Sequence, residues 1–394
     1  MSVTYVDGFI HYKSKTGEMI YISLEDICTM IKVESISLLF EKDNVLISNR
    51  GEYNVVVYGI IDETGKEIVI RLLRQSVSNY DKDLLMTYAK ENNNSRIMDE
   101  NEIGPQVYYP HEIFEPRDAY NYGISYKFSP NSKRYADGKV PFFVTEYFNQ
   151  GDLWSFLMGG GKIKDVDVEL TTEQVFNMQK EAVKKAVDLI DKSVETGIYC
   201  IDVKPSNFVV DVRYYEDKRQ LVQKTRMIDF DSCYTSLSKL VNIKADKKEK
   251  EHFLKIVLTI QFLSNMLYHL EYIRREYKIT DKKILDSHGE ILIIITNKLD
   301  ELDYEEYKED VRTILLNIDD LTVYLAHYSG IFNIQDVCKN AEQYARHYIF
   351  SKDEKSYNVV KKCIDNIFEN IYKFSKNYSY YAENDLFDSE MLKL

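Results

Sequence analysis

Asp202, Lys204 and Asn207 stand in one short run, Asp202-Val203-Lys204-Pro205-Ser206-Asn207, and a further carboxylate follows in Met227-Ile228-Asp229-Phe230-Asp231. Residue types at this spacing suit phosphoryl transfer. That reaction needs a carboxylate to orient or deprotonate the attacking hydroxyl, a cation on the transferred phosphate, and oxygen ligands for Mg2+. Asp202 and Lys204 supply the carboxylate and the cation from one loop. Asn207 and Asp229 supply the oxygens.

The elements that must position these residues can be read around them. The apolar runs Phe208-Val209-Val210 and Met227-Ile228 read as two strands, with a charged connection, 211–225, that lengthens their hairpin. Upstream the chain is β-rich. Val45-Leu46-Ile47, Val55-Val56-Val57-Tyr58 and Ile68-Val69-Ile70 are short strands, with a turn at Asp62-Glu63-Thr64-Gly65. Residues 80–99 are helix-compatible, and Pro141 to Thr145 reads as another strand. After Gly151 the texture becomes helical. Thr171 and Gln174 form a possible capping box, apolar residues recur from Val175 to Ile190, and Gly197 ends that helix. From about 250 a broad apolar stripe, Phe253 to Leu267, marks a buried helix. Residues 1–44 read as an amino-terminal extension with a hairpin across Lys15-Thr16-Gly17 and a helix. The pattern predicts a β-rich lobe over 45–149, a linker near 147–152 and a helical lobe over 150–394, with a ligand cleft between them.

The run from Asp202 to Asn207 resembles the D-x-K-P-x-N catalytic loop of the eukaryotic-type protein kinases, and its Lys204 is the serine/threonine-kinase form. The resemblance covers roughly 45–235. It implies an α+β, bilobal protein-kinase-like fold, with ATP and Mg2+ (or Mn2+) as cofactors. By the same resemblance Asp202 and Lys204 are catalytic, and Asn207 and Asp229 hold the metal. Glu146 and Phe148 then contribute backbone contacts to adenine, with Thr145 as gatekeeper and Asp152 facing the ribose. Asn49, Gly51 and Val56 fall on a degenerate glycine-rich loop, and Arg71 falls where the family places a lysine. Glu91 is the first candidate for the carboxylate partner of Arg71, Glu100 the second.

The sequence departs from that family in four places. Arg71 replaces the lysine, and a planar guanidinium is not equivalent to an ammonium at a phosphate clamp. Cys200-Ile201 replaces His-Arg, which removes the arginine that pairs with a phosphorylated activation loop. Asp231 replaces the glycine of D-F-G. No proline follows Pro205, so the A-P-E motif is absent. Three functions remain open: an active divergent serine/threonine kinase with a protein substrate, a pseudokinase scaffold with a binding partner, and a small-molecule phosphotransferase.

Composition narrows the partners. The 394 residues carry a formal charge of −13, which disfavours nucleic acid and membrane surfaces. The run Ile291–Ile295 is far shorter than the roughly 20 apolar residues of a membrane span, and no segment reads as one. The amino terminus lacks a signal-peptide pattern, so a cytoplasmic location is expected. Five widely spaced cysteines with no CxxC pair predict buried free thiols and neither a disulfide framework nor a zinc site. The 32 tyrosines and the abundance of Asn, Ile and Lys resemble kinase-like proteins of large DNA viruses with AT-rich genomes.

Overall fold

Alternation of side chains along successive strands organises the first part of the chain. The computed structural model describes residues 3–41, 44–45, 54–74, 77–78, 82–115, 122–158, 163, 168–241, 244–315 and 353–387. The protein is α+β and divides into two units. One is Met1–Tyr147 with Ile228–Asp231, and the other is Phe148–Met227 with Ser232–Leu394.

The first unit is strand-rich. β1 (Thr4–Val6), β2 (Phe9–Lys13) and β3 (Met19–Ser23) form an antiparallel meander. α1 (Leu24–Ile31) follows, its first turn capped by Ser23, whose hydroxyl accepts the Asp26 N–H. Next come β4 (Ile36–Leu38), the short pair β5 (Phe40–Glu41) and β6 (Asn44–Val45), β7 (Asn54–Ile61), β8 (Lys66–Leu73) and β9 (Val77–Ser78). Then follow α2 (Lys82–Glu100), β10 (Val107–Tyr109), β11 (Ile124–Ser125), β12 (Gly138–Val140) and β13 (Phe142–Glu146). The main sheet has the order β10-β13-β8-β7-β4.

β7 alternates strictly between buried and half-buried positions, as the period-2 geometry of a strand with one core face requires. Val55 and Val57 point into the same core as Ile68, Ile70 and Leu72 of β8 and Phe142 and Val144 of β13. The β7–β8 turn uses Gly65 at φ +65°, a conformation glycine adopts without steric cost. Ile10, Ile20, Ile22 and Ile27, from the segment expected to be an extension, bury in this same core.

The second unit is mostly helical. It contains β14 (Gly151–Asp152), α3 (Leu153–Met158), α4 (Thr172–Glu195), β15 (Tyr199–Cys200), β16 (Phe208–Tyr215), β17 (Gln220–Met227) and β18 (Cys233–Tyr234). α5 (Leu237–Leu240), α6 (Lys247–Glu276), α7 (Lys282–Glu301), α8 (Tyr304–Leu315), α9 (Glu354–Lys376) and α10 (Tyr378–Glu383) follow. α4 opens on a full capping box between Thr171 and Gln174, and Gly197 at φ +78° turns the chain out of it. α6 opens on a second box, Asp246 with Glu249. α4 and α7 both pack on α6, which is buried on nearly all sides from Phe253 to Ile273. The Ile291–Ile295 run lies within α7.

Two sequence expectations are corrected. α6 is long and apolar enough, by length and composition, to cross a membrane, although no segment was expected to qualify. Its most apolar window is 89% buried inside the unit, and a core helix must be apolar all round for the same physical reason as a span. Cys200 and Cys233 are not free thiols; they form a disulfide. They are directly opposed residues of the β15–β18 pair, 4.2 Å apart at Cα. Cys28 is buried and free.

Candidate functional site

In the second unit, β15 delivers the chain into the Asp202–Asn207 loop. Pro205 opens a single 3-10 turn over Pro205–Asn207, where its fixed φ and missing N–H are tolerated. That turn folds Asn207 back onto Asp202. The Asn207 amide nitrogen donates to the Asp202 carbonyl at 2.9 Å and to its Oδ2 at 3.3 Å. Lys204 Nζ reaches the same Oδ2 at 2.5 Å. Asp202 Oδ1 is buried and accepts no hydrogen bond from the described residues. Beneath the loop, the buried Asn265 of α6 donates to the Val203 carbonyl at 3.3 Å. Asp202, Lys204 and Asn207 are thus one hydrogen-bonded group, tied to α6 through Val203. Its free carboxylate oxygen has the character of a proton or hydroxyl acceptor.

In the first unit, Arg71 on β8 donates to Glu91 on α2, Nη2 to Oε1, at 2.6 Å. Glu100 instead pairs with Arg96 one turn back. Burial works against the Arg71 cation, but Glu91 and Asp229 more than offset it, so its pKa is raised and the guanidinium is a fixed positive charge. Asp229 takes φ +69°, the left-handed region that a residue with a Cβ rarely occupies. Phe230, the next residue, is buried.

The remaining expected residues are placed as follows. Val56 is half-buried on β7 and opposes Arg71 in the ladder. Glu146 ends β13, and its carboxylate accepts the Gln106 N–H at 3.3 Å while its own N–H goes to the Gln106 carbonyl at 2.9 Å. Thr145 is buried in the same strand. Phe148, in the second unit, is buried with the Lys224 ammonium 5.5 Å from its ring centroid. Asp152 Oδ1 accepts from the Ser155 N–H at 2.7 Å and its hydroxyl at 2.5 Å, so it serves to start α3. Asn49 and Gly51 lie outside the described residues.

Several polar side chains escaped sequence reasoning. Asn149 is buried and pairs both sides of its amide with the Val212 backbone, at 2.8 and 3.0 Å, while its own N–H goes to Asp211. Asn94, buried on α2, donates to the Phe230 carbonyl at 3.1 Å. Asn265 carried the one available signal, an amide inside an apolar stripe.

No family model and no curated protein matches the chain. Among solved structures it is similar to one described as the crystal structure of BubR1 kinase domain, at 15% identity and a TM-score of 0.28. The match covers 57% of this chain, and the chain spans about half the length of that one, 50%. So loose a superposition bears on neither fold nor activity.

Proposed function

We propose that this chain is a divergent serine/threonine protein-kinase-like phosphotransferase that moves the γ-phosphate of Mg-ATP to a hydroxyl acceptor on a protein. The observation that carries the reading is the Asp202–Lys204–Asn207 group, with one buried carboxylate oxygen left without a partner among the described residues.

The residues fit a hard divalent cation. Among the described residues no group of three or more His, Cys, Asp or Glu could hold a metal ion. A site of two protein oxygens completed by phosphates and water suits Mg2+ or Mn2+ and suits neither zinc nor copper. The Asn207 nitrogen is engaged with Asp202, so its amide oxygen is the end offered to a cation. Phe208 and Met227 are paired residues at the base of one hairpin; Asn207 immediately precedes the first and Asp229 follows the second by two. When bound, the metal neutralises charge building on the phosphates.

In this reading Asp202 Oδ1 accepts a hydrogen bond from the acceptor hydroxyl and takes its proton as attack proceeds. Lys204, already fixed on Asp202, neutralises the transferred phosphoryl group. Arg71 holds the α- and β-phosphates while Glu91 fixes its orientation. A scaffold function is the second reading, supported by arginine at position 71 and by the absent A-P-E motif; a small-molecule acceptor is the third. Incubation of the full chain with labelled ATP and Mg2+ or Mn2+ tests all three. Label transfer to protein, with Asp202→Asn slower by at least 100-fold, is the expected result. Nucleotide binding without turnover, unchanged by Asp202→Asn, would establish the scaffold instead, and transfer only to metabolites would establish the small-molecule enzyme.

A further inference from the structure

We infer that Asn94 is a positioning residue for the metal-holding carboxylate of Asp229; this rests on the nucleotide-and-metal reading above. Asp229 has a left-handed backbone, which aims its side chain only as long as the adjoining peptide is held. Phe230 is that adjoining residue, and two contacts fix it. Its carbonyl accepts the Asn94 amide N–H at 3.1 Å, in a bond whose two residues are both buried. Its ring lies over Gly104, where an added Cβ would sit 3.2 Å from Phe230 Cε2 and 3.3 Å from Met98 Cβ. The ring therefore has no room to shift toward that side.

Asn94 comes three residues after Glu91 on α2, so the two share a helix face. Glu91 holds Arg71, whose positive charge acts on Asp229. One helix face thus grips the Asp229 segment twice, through charge by way of Arg71 and through a hydrogen bond to the next carbonyl. Loss of the second grip removes the side-chain hydrogen bond from a buried carbonyl and loosens the support of the left-handed residue. The consequence falls on the metal. Nucleotide contacts made without it do not depend on where Asp229 points.

Asn93, the neighbouring residue, provides a matched control. Its amide pairs both with the Phe114 carbonyl and with the Phe114 N–H, each at 2.8 Å, so its hydrogen bonds go to Phe114 and not to Phe230. Asn94→Leu and Asn93→Leu each remove a hydrogen-bonded amide from the same helix, buried at 94 and half-buried at 93. The experiment titrates Mn2+ into each full-length protein at saturating ATP and follows thermal stabilisation, with an ATP series in EDTA alongside. Asn94→Leu should raise the Mn2+ midpoint roughly tenfold and leave the EDTA series unchanged, while Asn93→Leu should move neither. Equal midpoints for the two variants would overturn the inference while leaving the nucleotide reading intact. A wild-type protein with no Mn2+-dependent stabilisation would remove that reading and this inference with it. If Asn94→Leu does not fold, Asn94→Ser is used: its hydroxyl is too short to reach the Phe230 carbonyl, and the same shift is expected.

Discussion

The two units secure their candidate site residues by different physics. In the strand-rich unit the anchor is a charge pair, Arg71 with Glu91, which joins β8 to α2 across twenty residues of sequence. In the helical unit the corresponding pair, Asp202 with Lys204, spans two residues of one loop. The long-range anchors of that loop are uncharged: Asn265 on the Val203 carbonyl and the Cys200–Cys233 bond. Two imidazoles buried between helices, His269 and His288, belong to the same unit. One unit should therefore answer to loss of a charge, the other to acid and to reductant.

Acid should have the largest effect. Burial lowers the pKa of His269 to about 3, against the counteracting hydrogen bond that its Nε2 donates to the Trp154 carbonyl and with a further lowering from His288. Burial alone lowers His288 to about 4. Both are neutral in the folded protein and titrate near 6.5 when unfolded. Below pH 6.5 the unfolded chain binds protons that the folded chain cannot, so stability falls as pH falls, down to the folded values. By pH 5 the loss is about 2 kcal/mol for each histidine. Urea unfolding at pH 7.5 and pH 5.0 measures it. Replacing His288 by Asn should shrink the difference between the two pH values by about half of the combined loss. An undiminished difference in that variant would show that these imidazoles are not what makes the helical unit sensitive to acid.

Reduction should come second. The disulfide closes a loop with a sequence separation of 33 and joins residues that are only 2% exposed. Restricting the unfolded chain to this extent corresponds to about 3–4 kcal/mol. The double variant Cys200→Ser with Cys233→Ser should lose that much in urea at pH 7.5, and dithiothreitol should then have no further effect. A thiol titration of the denatured wild-type chain, with and without prior reduction, checks the bond itself: reduction should expose two additional thiols.

What the sequence made legible and what it hid divide along a physical line. Signals that act over a few residues were readable. Examples are the alternation in β7, the capping box at Thr171, the glycine ending α4, and the close spacing of Asp202, Lys204 and Asn207. Contacts set by register or by helix–loop packing were not. Nothing in a separation of 33 residues says that Cys200 and Cys233 fall opposite each other; that comes from the β15–β18 ladder. Sequence left Glu91 and Glu100 as alternatives for Arg71 because either lies on the following helix. The choice is made by which turn of α2 faces β8, and Arg96 takes Glu100 locally. Asn94 and Asn149 each satisfy backbone groups distant in sequence, and an isolated asparagine carries no mark of such a partner.

Removing the charge at position 71 should produce the smallest of the three losses and the one confined to the strand-rich unit. Arg71→Met keeps most of the side-chain volume but leaves Glu91, whose side chain is 7% exposed, without its cation. An uncompensated buried carboxylate costs about 3–5 kcal/mol. Arg71 is itself 25% exposed, so water reaches one side of the pair and about 2–3 kcal/mol is expected. Arg71→Lys should lose less, because it retains the charge while giving up the planar fork. The double variant Arg71→Met with Glu91→Leu should recover much of the loss, since it removes the stranded charge. Combined with the two serine substitutions, Arg71→Met should be additive, because the pairs share no partner. Urea unfolding of the single and combined variants reads all of this. An Arg71→Met protein as stable as wild type would mean that the strand-rich unit does not depend on this pair, and the contrast between the units would fail on its charged side.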